Sequence, residues 1–247
     1  MKLQRAFPTT DVLSGVTQVD TSVLPWPGYT FGNTAASSPN HVEQSYDALA
    51  SALGVHRASI RTVTQVHGDA IVVVGSERPE VGIEADALIT NHPTWVLGVK
   101  LADCCGVLLY DPIHHAVAAV HSGWRGTALG VVSATVEQMQ TTYGTRANDL
   151  RAWLSPCASG VRYEVGEDVY AVLSPFCTPV EGKQSRWTFD NHKAITDQLL
   201  HAGVPAASII ADEACSIADT RWHSHRRDGQ RAGRMLAFIG LRPMAGK

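Results

Sequence analysis

The chain lacks a long hydrophobic run. Its N-terminus, MKLQRAFPTTDVLSG, carries two basic residues, Lys2 and Arg5, with no apolar segment behind them. A signal peptide or a membrane anchor needs such a segment, so the sequence predicts neither. We therefore expect a cytoplasmic protein that does not bind membranes.

An excess of positive charge is also missing. The 247 residues carry a formal net charge of −3 at pH 7 and are 45% hydrophobic. This charge gives no general attraction to nucleic acid, and the hydrophobic fraction is ordinary for a folded globular protein. We expect no nucleic-acid partner, and these features do not fix the oligomeric state.

Cysteine is sparse. The five cysteines are an odd number in a long chain, which argues against a disulfide scaffold and for free thiols or metal ligands. They are Cys104, Cys105, Cys157, Cys177 and Cys215. The neighbouring pair lies in ADCCGVLLYDPIHHAVAAVHSGWRG, which also holds histidines, an aspartate and an arginine. This segment is therefore the first candidate for a chemical site.

Internal repeats and heptads are absent too, and the length fits one domain over residues 1–247. Apolar residues at helical spacing predict helices at 41–53, at 127–142 and after a cap at Asp190. Asn40 and Glu43 have the spacing of a capping box at the start of the first helix. The glycines that follow the three helices as stop signals are Gly54, Gly144 and Gly203.

Short apolar runs bounded by turns predict strands at 60–66, 70–74, 86–90 and 95–101. The segment 174–188 is the longest irregular stretch, and it fits a surface loop as well as a loop that covers substrate. Because strands and helices mix without strict βαβ alternation, we predict an α+β sandwich rather than a doubly wound sheet.

The cysteine-rich segment predicts a β-hairpin. Strands at 105–110 and 115–120 flank the sequence Asp-Pro-Ile-His at 111–114, a plausible four-residue turn. Tyr110 then faces His115, and the same register carries the pairing to the open end of the hairpin.

At that open end, Cys104 faces His121 in the predicted register. Directly opposite residues have Cβ atoms about 4.5–5.5 Å apart, close enough for a thiolate and an imidazole to share a metal ion. His67, before a glycine in TQVHGD, is one candidate for a third ligand. Other candidates are His114, His115, His223 and His225. Two histidines and one cysteine leave an open position on tetrahedral Zn²⁺, which is typical of a catalytic site.

Six motifs resemble one known family. They are TQVHGDAIVVV, EADALIT, LADCCGVLLYDP, VAAVHSGWRGT, SPCASGVRYEVG and SHRRDGQRAGR, and they span roughly residues 60–240. In this order they resemble the laccase-domain purine nucleoside phosphorylase family, whose bacterial members are also called polyphenol oxidases or peptidoglycan editing factors. The sequence departs from the family pattern at Cys105, where an apolar residue is common, and at Arg162, where a second cysteine often stands.

The resemblance implies a four-layer α-β-β-α sandwich with mixed sheets and a zinc ion bound by His67, Cys104 and His121. It implies a small-molecule enzyme that phosphorolyses adenosine, inosine and methylthioadenosine, with adenosine deamination as a second reaction. The alternatives are a hydrolase that edits peptidoglycan precursors and a copper-dependent polyphenol oxidase, for which we expect bound Cu²⁺ to be adventitious.

Five further residues complete the predicted site. Asp103 accepts a proton, orients a ligand or caps a turn. Arg125 and the backbone amides of SGWRGT form a phosphate cradle at a helix N-terminus. Gln65, Arg226 and Arg227 are further candidates for binding substrate or phosphate.

Two observations weigh on the alternatives. The HxE and PCxxC motifs of the zinc deaminases are absent, as are the repeated HxH motifs of multicopper oxidases. Cysteine hydrolysis would use Cys104 or Cys157 as the nucleophile with a histidine as base. A chelator distinguishes that chemistry from zinc chemistry.

Overall fold

The structure, a computed structural model, describes residues 1–77 and 82–242. The strands in this part are β1 (Leu3–Arg5), β2 (Val12–Thr17), β3 (Ile60–Arg61), β4 (Ile71–Val73), β5 (Ala87–Thr90), β6 (Val96–Leu101), β7 (Cys105–Asp111), β8 (Ala116–Ser122), β9 (Arg151–Leu154), β10 (Glu164–Val165), β11 (Cys177–Pro179), β12 (Trp187–Phe189), β13 (Ile209–Ala211) and β14 (Met235–Leu241). The α-helices are α1 (Pro39–Leu53), α2 (Trp124–Leu129), α3 (Val131–Tyr143), α4 (Glu167–Leu173), α5 (Asn191–His201) and α6 (His225–Asp228). Short 3₁₀ helices occur at Arg57–Ser59, Ala147–Asp149, Ser174–Phe176, Ala206–Ser208 and Gly229–Arg231.

Two sheets lie face to face between helices. The five-stranded sheet has the order β1-β2-β14-β6-β3 and the six-stranded sheet the order β13-β9-β7-β8-β5-β4, each with parallel and antiparallel pairs. Their facing side chains share one apolar core. Helix α1 packs on the outer face of the five-stranded sheet, and α3 and α5 pack on the outer face of the six-stranded sheet. The predicted α+β fold, a four-layer α-β-β-α sandwich with mixed sheets, is therefore confirmed.

The side chains of strand β7 alternate between two layers of the fold. Val107 and Leu109 pack in the core beneath α3 and α5, whereas Leu108 and Tyr110 pack between the sheets. Successive side chains of a strand point to opposite faces, and every residue of β7 is buried. A near-continuous apolar run is what a strand covered on both faces requires.

The hairpin formed by β7 and β8 is present, but the predicted pairing of Cys104 with His121 is wrong. His121 pairs with Gly106, and Cys104 lies just before the strand. Because Cys104 and Gly106 are two residues apart, they share a face of the sheet. The side chain of Cys104 therefore still lies on the same side as His121.

The turn explains the shift in register. Asp111 ends β7 and pairs with Ala116, so the loop comprises residues 112–115, one position later than predicted. The carboxylate of Asp111 accepts backbone N–H bonds from Ile113 at 2.8 Å and from His114 at 3.0 Å. An aspartate that binds the loop amides belongs to the strand end rather than to the loop itself.

The first predicted helix is confirmed with a different cap. Helix α1 begins at Pro39, and the hydroxyl of Ser38 accepts the backbone N–H of His41, so the predicted capping box at Asn40 is wrong. Proline is favoured in the first turn because its missing N–H has no helical partner there. Gly54 ends the helix in a left-handed conformation, with φ of 67°, as predicted.

The helix predicted at 127–142 is two helices. Gly130 has a φ of 81°, which ends α2 and starts α3, and α2 begins at Trp124. A glycine adopts this conformation without the steric cost that a side chain brings. The predicted cap of α5 is confirmed, because Asp190 accepts the backbone N–H of Lys193 at 3.0 Å.

One strand prediction and one loop prediction need correction. The run at 60–66 forms a strand only at Ile60–Arg61. The segment 174–188 is not wholly irregular, because it contains β11 and the start of β12, which pair antiparallel in a small sheet with β10. The other three predicted strands appear as β4, β5 and β6. No helix among residues 1–77 and 82–242 has the length and hydrophobicity to cross a membrane.

Candidate metal centre

Three metal-binding side chains meet at one edge of the six-stranded sheet. The ligand atoms of His67, Cys104 and His121 all lie within 4.8 Å of one another. The two imidazole rings have centroids 4.8 Å apart and are nearly perpendicular, at 80°. The fold therefore brings together the three residues suggested by the sequence, and we call this group the open centre.

Each side chain of the open centre comes from a bend or from the end of a strand. His121 is buried near the end of β8, at the open end of the hairpin and on the face that packs against the five-stranded sheet. Cys104 follows Asp103, which has a φ of 85°, and His67 itself has a φ of 61°. Such values are uncommon for residues other than glycine. The two bends turn the thiol and the exposed imidazole towards His121.

Asp86, fully buried directly before β5, holds two parts of the open centre. Its carboxylate accepts the ring N–H of His121 Nδ1 at 2.7 Å. It also accepts backbone N–H bonds from Val66 at 3.1 Å, His67 at 3.1 Å and Gly68 at 2.7 Å. The bond to Nδ1 directs Nε2 of His121 towards the open centre. A metal-binding histidine usually donates its other ring N–H to a carboxylate or carbonyl in this way.

The charges of the open centre support one another. Burial by itself raises the pKa of the Cys104 thiol, but His121 and His67 outweigh it and bring that pKa down to about 6. Burial lowers the pKa of His121, but the Cys104 thiolate and Asp86 outweigh it and raise that pKa to about 9. Cys104 is therefore a thiolate at neutral pH, which is the form that binds metal.

Asp86 stays ionised for a related reason. Burial raises the pKa of its carboxyl group, but the hydrogen bonds from His121, Gly68 and Val66 together hold the pKa below its ordinary value of 3.8. A carboxylate is therefore fixed behind the imidazole of His121 throughout the neutral range.

Gly123 makes room for the open centre. A Cβ atom at this position would lie 2.9 Å from Cys104 Sγ and 3.2 Å from His67 Cδ2. Both distances are shorter than ordinary van der Waals contacts, so any side chain would displace two of the candidate ligands. The glycine of the SGWRG motif is therefore needed for close packing rather than for its backbone angles.

The donor set fits a zinc ion. Imidazole nitrogen and thiolate sulfur are common Zn²⁺ ligands, and three protein ligands leave the fourth position to water or substrate. The same set also fits copper, which imidazole and thiolate ligands bind well. His67 is exposed and Cys104 is partly exposed, so that fourth position is accessible from the cavity beside them.

The open centre forms part of the wall of a cavity of about 560 Å³. This volume lies within the range of about 300–1,000 Å³ that is typical of small-molecule sites. The aromatic rings of Trp124 and Tyr163 line it. So do four cationic side chains, Lys100, Arg125, Arg226 and Arg234. Guanidinium and ammonium groups grouped in this way suit an anionic ligand such as phosphate.

Asp103 lines the cavity, and both of its carboxylate oxygens already accept hydrogen bonds. Oδ1 accepts the hydroxyl of Ser216 at 2.7 Å, and Oδ2 accepts the backbone N–H of Arg226 at 2.6 Å. These bonds fix α6 beside the open centre. Of the roles considered for Asp103, these bonds match capping, because the carboxylate accepts a backbone N–H in the first turn of α6.

The arginines suggested by the sequence differ in their surroundings. Arg125 is exposed and lies over the Trp124 ring, 4.1 Å from its centroid. Arg226 lines the same cavity while its Nη1 donates to the carbonyl of Glu164 at 2.6 Å. The structure does not bring Arg227 to the cavity.

Arg227 has a structural environment instead. Its guanidinium donates to the carbonyls of Ser216 at 2.7 Å and Trp222 at 2.8 Å and pairs with Asp228 at 2.8 Å. A guanidinium that binds three neighbouring oxygens in this way is anchored by the protein itself. The guanidinium of Arg227 therefore holds α6 to the preceding loop and does not line the cavity of the open centre.

Gln65 lines the cavity but uses its amide to bind the backbone of β6. Its Nε2 donates to the carbonyl of Lys100 at 2.8 Å, and its Oε1 accepts the backbone N–H of Lys100 at 2.7 Å. This pair of bonds fixes the chain that leads to His67. The side chain of Gln65 therefore positions the site, whatever else it contacts.

Sequence reasoning missed three groups of this site: Asp86, Lys100 and Arg234. An aspartate directly before the run ALIT was the local signal for Asp86, because metal-binding histidines commonly donate their other ring N–H to a carboxylate. Lys100 and Arg234 gave no signal of their own, since only the pairing of β6 with β14 brings them to one cavity.

Fold and site together define a class: four-layer α+β sandwich proteins with a solvent-accessible His/Cys centre beside a cationic cavity. The family described as "Multi-copper polyphenol oxidoreductase laccase" matches residues 15–242. The chain belongs to this family, and the resemblance suggested by its motifs is confirmed.

Named relatives and a solved structure agree with this assignment. The chain is 36% identical over 180 residues to a "Purine nucleoside phosphorylase" of Bacteroides thetaiotaomicron, covering 70% of this chain and 67% of that one. It is 34% identical over 234 residues to a protein of the same name from Xylella fastidiosa, covering 89% and 88%. The crystal structure of YlmD from Geobacillus stearothermophilus matches with a TM-score of 0.89 at 28% identity, covering 98% and 96%.

Proposed function

We propose that this protein is a zinc-dependent purine nucleoside phosphorylase that acts on adenosine, inosine and methylthioadenosine. One observation carries the proposal: a three-ligand His/Cys centre with an accessible fourth position lies in the wall of a cavity lined by four cationic side chains. The names of the relatives support this class of substrate. On this proposal residues 1–247 act as one domain in the cytoplasm.

Phosphorolysis needs an anion held beside C1′ of the ribose. One phosphate oxygen forms a bond to C1′ as the bond from C1′ to the purine nitrogen breaks, and the electron pair leaves with the base. Arg125 is the first candidate for holding the phosphate, because its guanidinium faces the cavity and forms no ion pair among the residues that the structure describes. A guanidinium binds phosphate through two parallel hydrogen bonds.

Other residues of the chain orient the substrate and the ligands. Arg226 is the second candidate for phosphate, and its position is set by Asp103 and Glu164. Trp124 and Tyr163 provide apolar walls for the nucleoside. A bound Zn²⁺ ion would supply Lewis-acid polarisation of a water or ligand atom. The carboxylate of Asp86 binds Nδ1 of His121, so Nε2 is the ring nitrogen that would bind the zinc ion.

The same centre would also support deamination of adenosine, in which water replaces the amino group at C6 and ammonia leaves. This second reaction uses the same cavity and produces inosine. It is distinguished from phosphorolysis by its independence of phosphate. A copper-dependent phenol oxidation remains the least favoured alternative, because the cavity is cationic and suits an anion.

One observation favours a second candidate function. Asp86, His121 and Cys104 form a chain in which a carboxylate orients an imidazole and the imidazole lowers the pKa of a thiol to about 6. This is the arrangement of a cysteine hydrolase, which attacks a carbonyl carbon with its thiolate. Such an enzyme would suit an amide in a peptidoglycan precursor, and it would work without a metal ion.

The test is turnover of adenosine, inosine and methylthioadenosine by protein of known zinc content, with and without phosphate. Chromatography separates free base, ribose phosphate and inosine. We expect base and ribose phosphate in equal amounts, only when phosphate is present, and loss of both in Cys104→Ala. The matched control is Cys177→Ala, because Cys177 lies in a separate core.

Each result separates the candidates. Phosphate-independent inosine formation from adenosine would identify the deaminase reaction. Absence of nucleoside turnover by zinc-loaded protein would contradict the proposal. Amide hydrolysis that survives a chelator and is lost in Cys104→Ala would establish the thiol mechanism.

A further inference from the structure

A second group of metal-binding side chains lies on the opposite face of the six-stranded sheet. The ligand atoms of Cys105, Cys157 and His192 all lie within 4.8 Å of one another. Cys105 is 0% exposed and Cys157 is 1% exposed, while His192 is partly exposed. We call this group the closed centre. The proposed phosphorolysis and its alternatives give the three residues of the closed centre no joint role.

Three packed elements bring the closed centre together. Cys105 is the first residue of β7, and Cys157 follows β9, which pairs with β7. Both lie in the core beneath α3 and α5. His192 is in the first turn of α5, and Ile195 and Leu199, at helical spacing from it, pack in the same core. Because sheet and helix fix all three side chains, the group is held in place before any ligand binds.

A fourth donor lies beside two members of the group. The carbonyl oxygen of Ser155 accepts a hydrogen bond from His192 Nε2 at 2.9 Å and a long one from the Cys105 thiol at 3.8 Å. Two protons therefore converge on one buried oxygen. A divalent cation between these groups would replace the two protons as the positive charge next to the Ser155 carbonyl oxygen.

The spacing suits a tetrahedral ion. Bond lengths of about 2.3 Å to sulfur and about 2.0 Å to nitrogen put the ligand atoms of a tetrahedral Zn²⁺ ion about 3.5–3.8 Å apart. Starting from the observed limit of 4.8 Å, the ligand atoms must approach one another by at most about 1.3 Å. Rotation of a cysteine or histidine side chain supplies a movement of this size.

The charge balance also suits burial. Two thiolates and a neutral imidazole around Zn²⁺ have no net charge, which limits the cost of placing an ion in an apolar core. The partly exposed edge at His192 gives the ion a route from solvent. Zinc sites in which protein ligands fill all four positions are structural rather than catalytic.

We propose that Cys105, Cys157 and His192 form a second Zn²⁺ site with the carbonyl oxygen of Ser155 as the fourth ligand. Binding releases two protons from these side chains to solvent and involves no oxidation or reduction. The site clamps α5 to strands β7 and β9, so its role is structural. This inference does not depend on the proposed phosphorylase activity.

The first test counts metal ions. Protein loaded with zinc and passed through a desalting column is analysed for zinc and protein content. We expect two zinc ions per chain in the wild type and in Cys177→Ala, and one in Cys157→Ala and in Cys105→Ala. An unchanged zinc count in both variants of the closed centre would overturn the proposal.

The second test isolates the closed centre with cobalt. In Cys104→Ala the open centre has no thiolate, so a thiolate-to-Co²⁺ charge-transfer band must come from another cysteine. We expect the band in Cys104→Ala and in Cys104→Ala/Cys177→Ala, and its loss in Cys104→Ala/Cys157→Ala. A circular dichroism spectrum matching the wild type establishes that each variant is folded. No band in folded Cys104→Ala would contradict the site.

Two close cysteines can also form a disulfide, and a count of free thiols detects it. Titration of the purified protein under denaturing, non-reducing conditions should find all five cysteines as free thiols once zinc is removed. If Cys105 and Cys157 are joined as a disulfide, two thiols are missing and no second zinc ion binds. That result would replace the metal site with a redox pair.

Discussion

The open and closed centres use nearly the same donors and sit back to back across one sheet, yet their surroundings differ. Cys104 and Cys105 are neighbours in the chain, and the alternation at the start of β7 sends one thiol towards the five-stranded sheet and the other towards the helices. The open centre borders a cationic cavity, whereas the thiols of the closed centre are buried among apolar side chains.

The groups behind the ligands differ as well. A buried carboxylate, Asp86, orients His121 in the open centre, whereas a backbone carbonyl, that of Ser155, accepts from His192 in the closed centre. One thiolate leaves a bound Zn²⁺ with a positive charge that favours an anionic ligand. The two thiolates of the closed centre would neutralise the charge of the ion. Exposure and thiolate number, rather than ligand type, therefore distinguish the proposed reactive centre from the proposed structural one.

The largest expected effect comes from the matched histidines. His121→Ala should reduce nucleoside turnover to background, because it removes a ligand of the open centre. His192→Ala should keep turnover within a few-fold of the wild type, because the closed centre does not touch the cavity. Steady-state assays of both variants after zinc loading measure this difference. Equal losses in the two folded variants would remove the distinction between the centres.

Zinc-dependent stability isolates the second centre. In Cys104→Ala, free zinc at 100–1,000 times the dissociation constant of the closed centre should stabilise the fold by about 3–4 kcal/mol. In Cys104→Ala/Cys157→Ala most of this gain should disappear. Thermal unfolding with zinc and with a chelator measures both. A zinc-induced rise in Tm of equal size in the two proteins would place the stabilising ion elsewhere.

Asp86→Asn tests the carboxylate behind the open centre. It keeps the size of the side chain but removes the charge that orients His121, so metal affinity or activity should fall by about 10–100-fold. Asp111→Asn is the matched control, because Asp111 is also buried and bonded to a histidine, His114, at the far turn of the hairpin. Zinc competition assays should show a loss only in Asp86→Asn.

Thiol reactivity compares the two centres directly. In chelator-treated protein the pKa of Cys104 is lowered to about 6, so its alkylation should rise with pH through a midpoint near 6 and fall away in more acidic solution. Cys105 and Cys157 should be protected by burial. Fragment mass spectrometry resolves the adjacent cysteines. In His121→Ala the midpoint for Cys104 should move up towards the ordinary value of 9.

The smallest expected effect is steric. Gly123→Ala places a methyl group 2.9 Å from Cys104 Sγ and 3.2 Å from His67 Cδ2, so the zinc affinity of the open centre should fall by a few-fold while the closed centre is unaffected. Gly75→Ala is the control, because a Cβ there has no neighbour within 4 Å. Unchanged affinity in Gly123→Ala would show that the ligands shift without cost.

Much of the fold was readable from local signals. The cap at Asp190 and the left-handed glycine at Gly54 are contained in a few residues each, and the structure has both. The hairpin was predicted with its register shifted, because the carboxylate of Asp111 binds the loop amides and so belongs to the strand. That distinction depends on a side-chain hydrogen bond, which apolar periodicity does not report.

The open centre was predictable and the closed centre was not. Cys104 and His121 lie on one hairpin, and a motif resemblance pointed to His67. The closed centre joins residues from β7, the segment after β9 and the start of α5. Only the pairing of strands and the docking of a helix bring such residues together. The adjacent cysteines were the one local signal, since neighbours on a strand must face different layers.

The two centres are separated most sharply by turnover and zinc content in Cys104→Ala and Cys105→Ala, assayed side by side with inosine and phosphate. We predict that Cys104→Ala keeps one zinc ion and releases no base, whereas Cys105→Ala keeps one zinc ion and releases base at close to the wild-type rate. Base release by Cys104→Ala, or its loss in folded Cys105→Ala, would contradict the assignment of chemistry to the open centre alone.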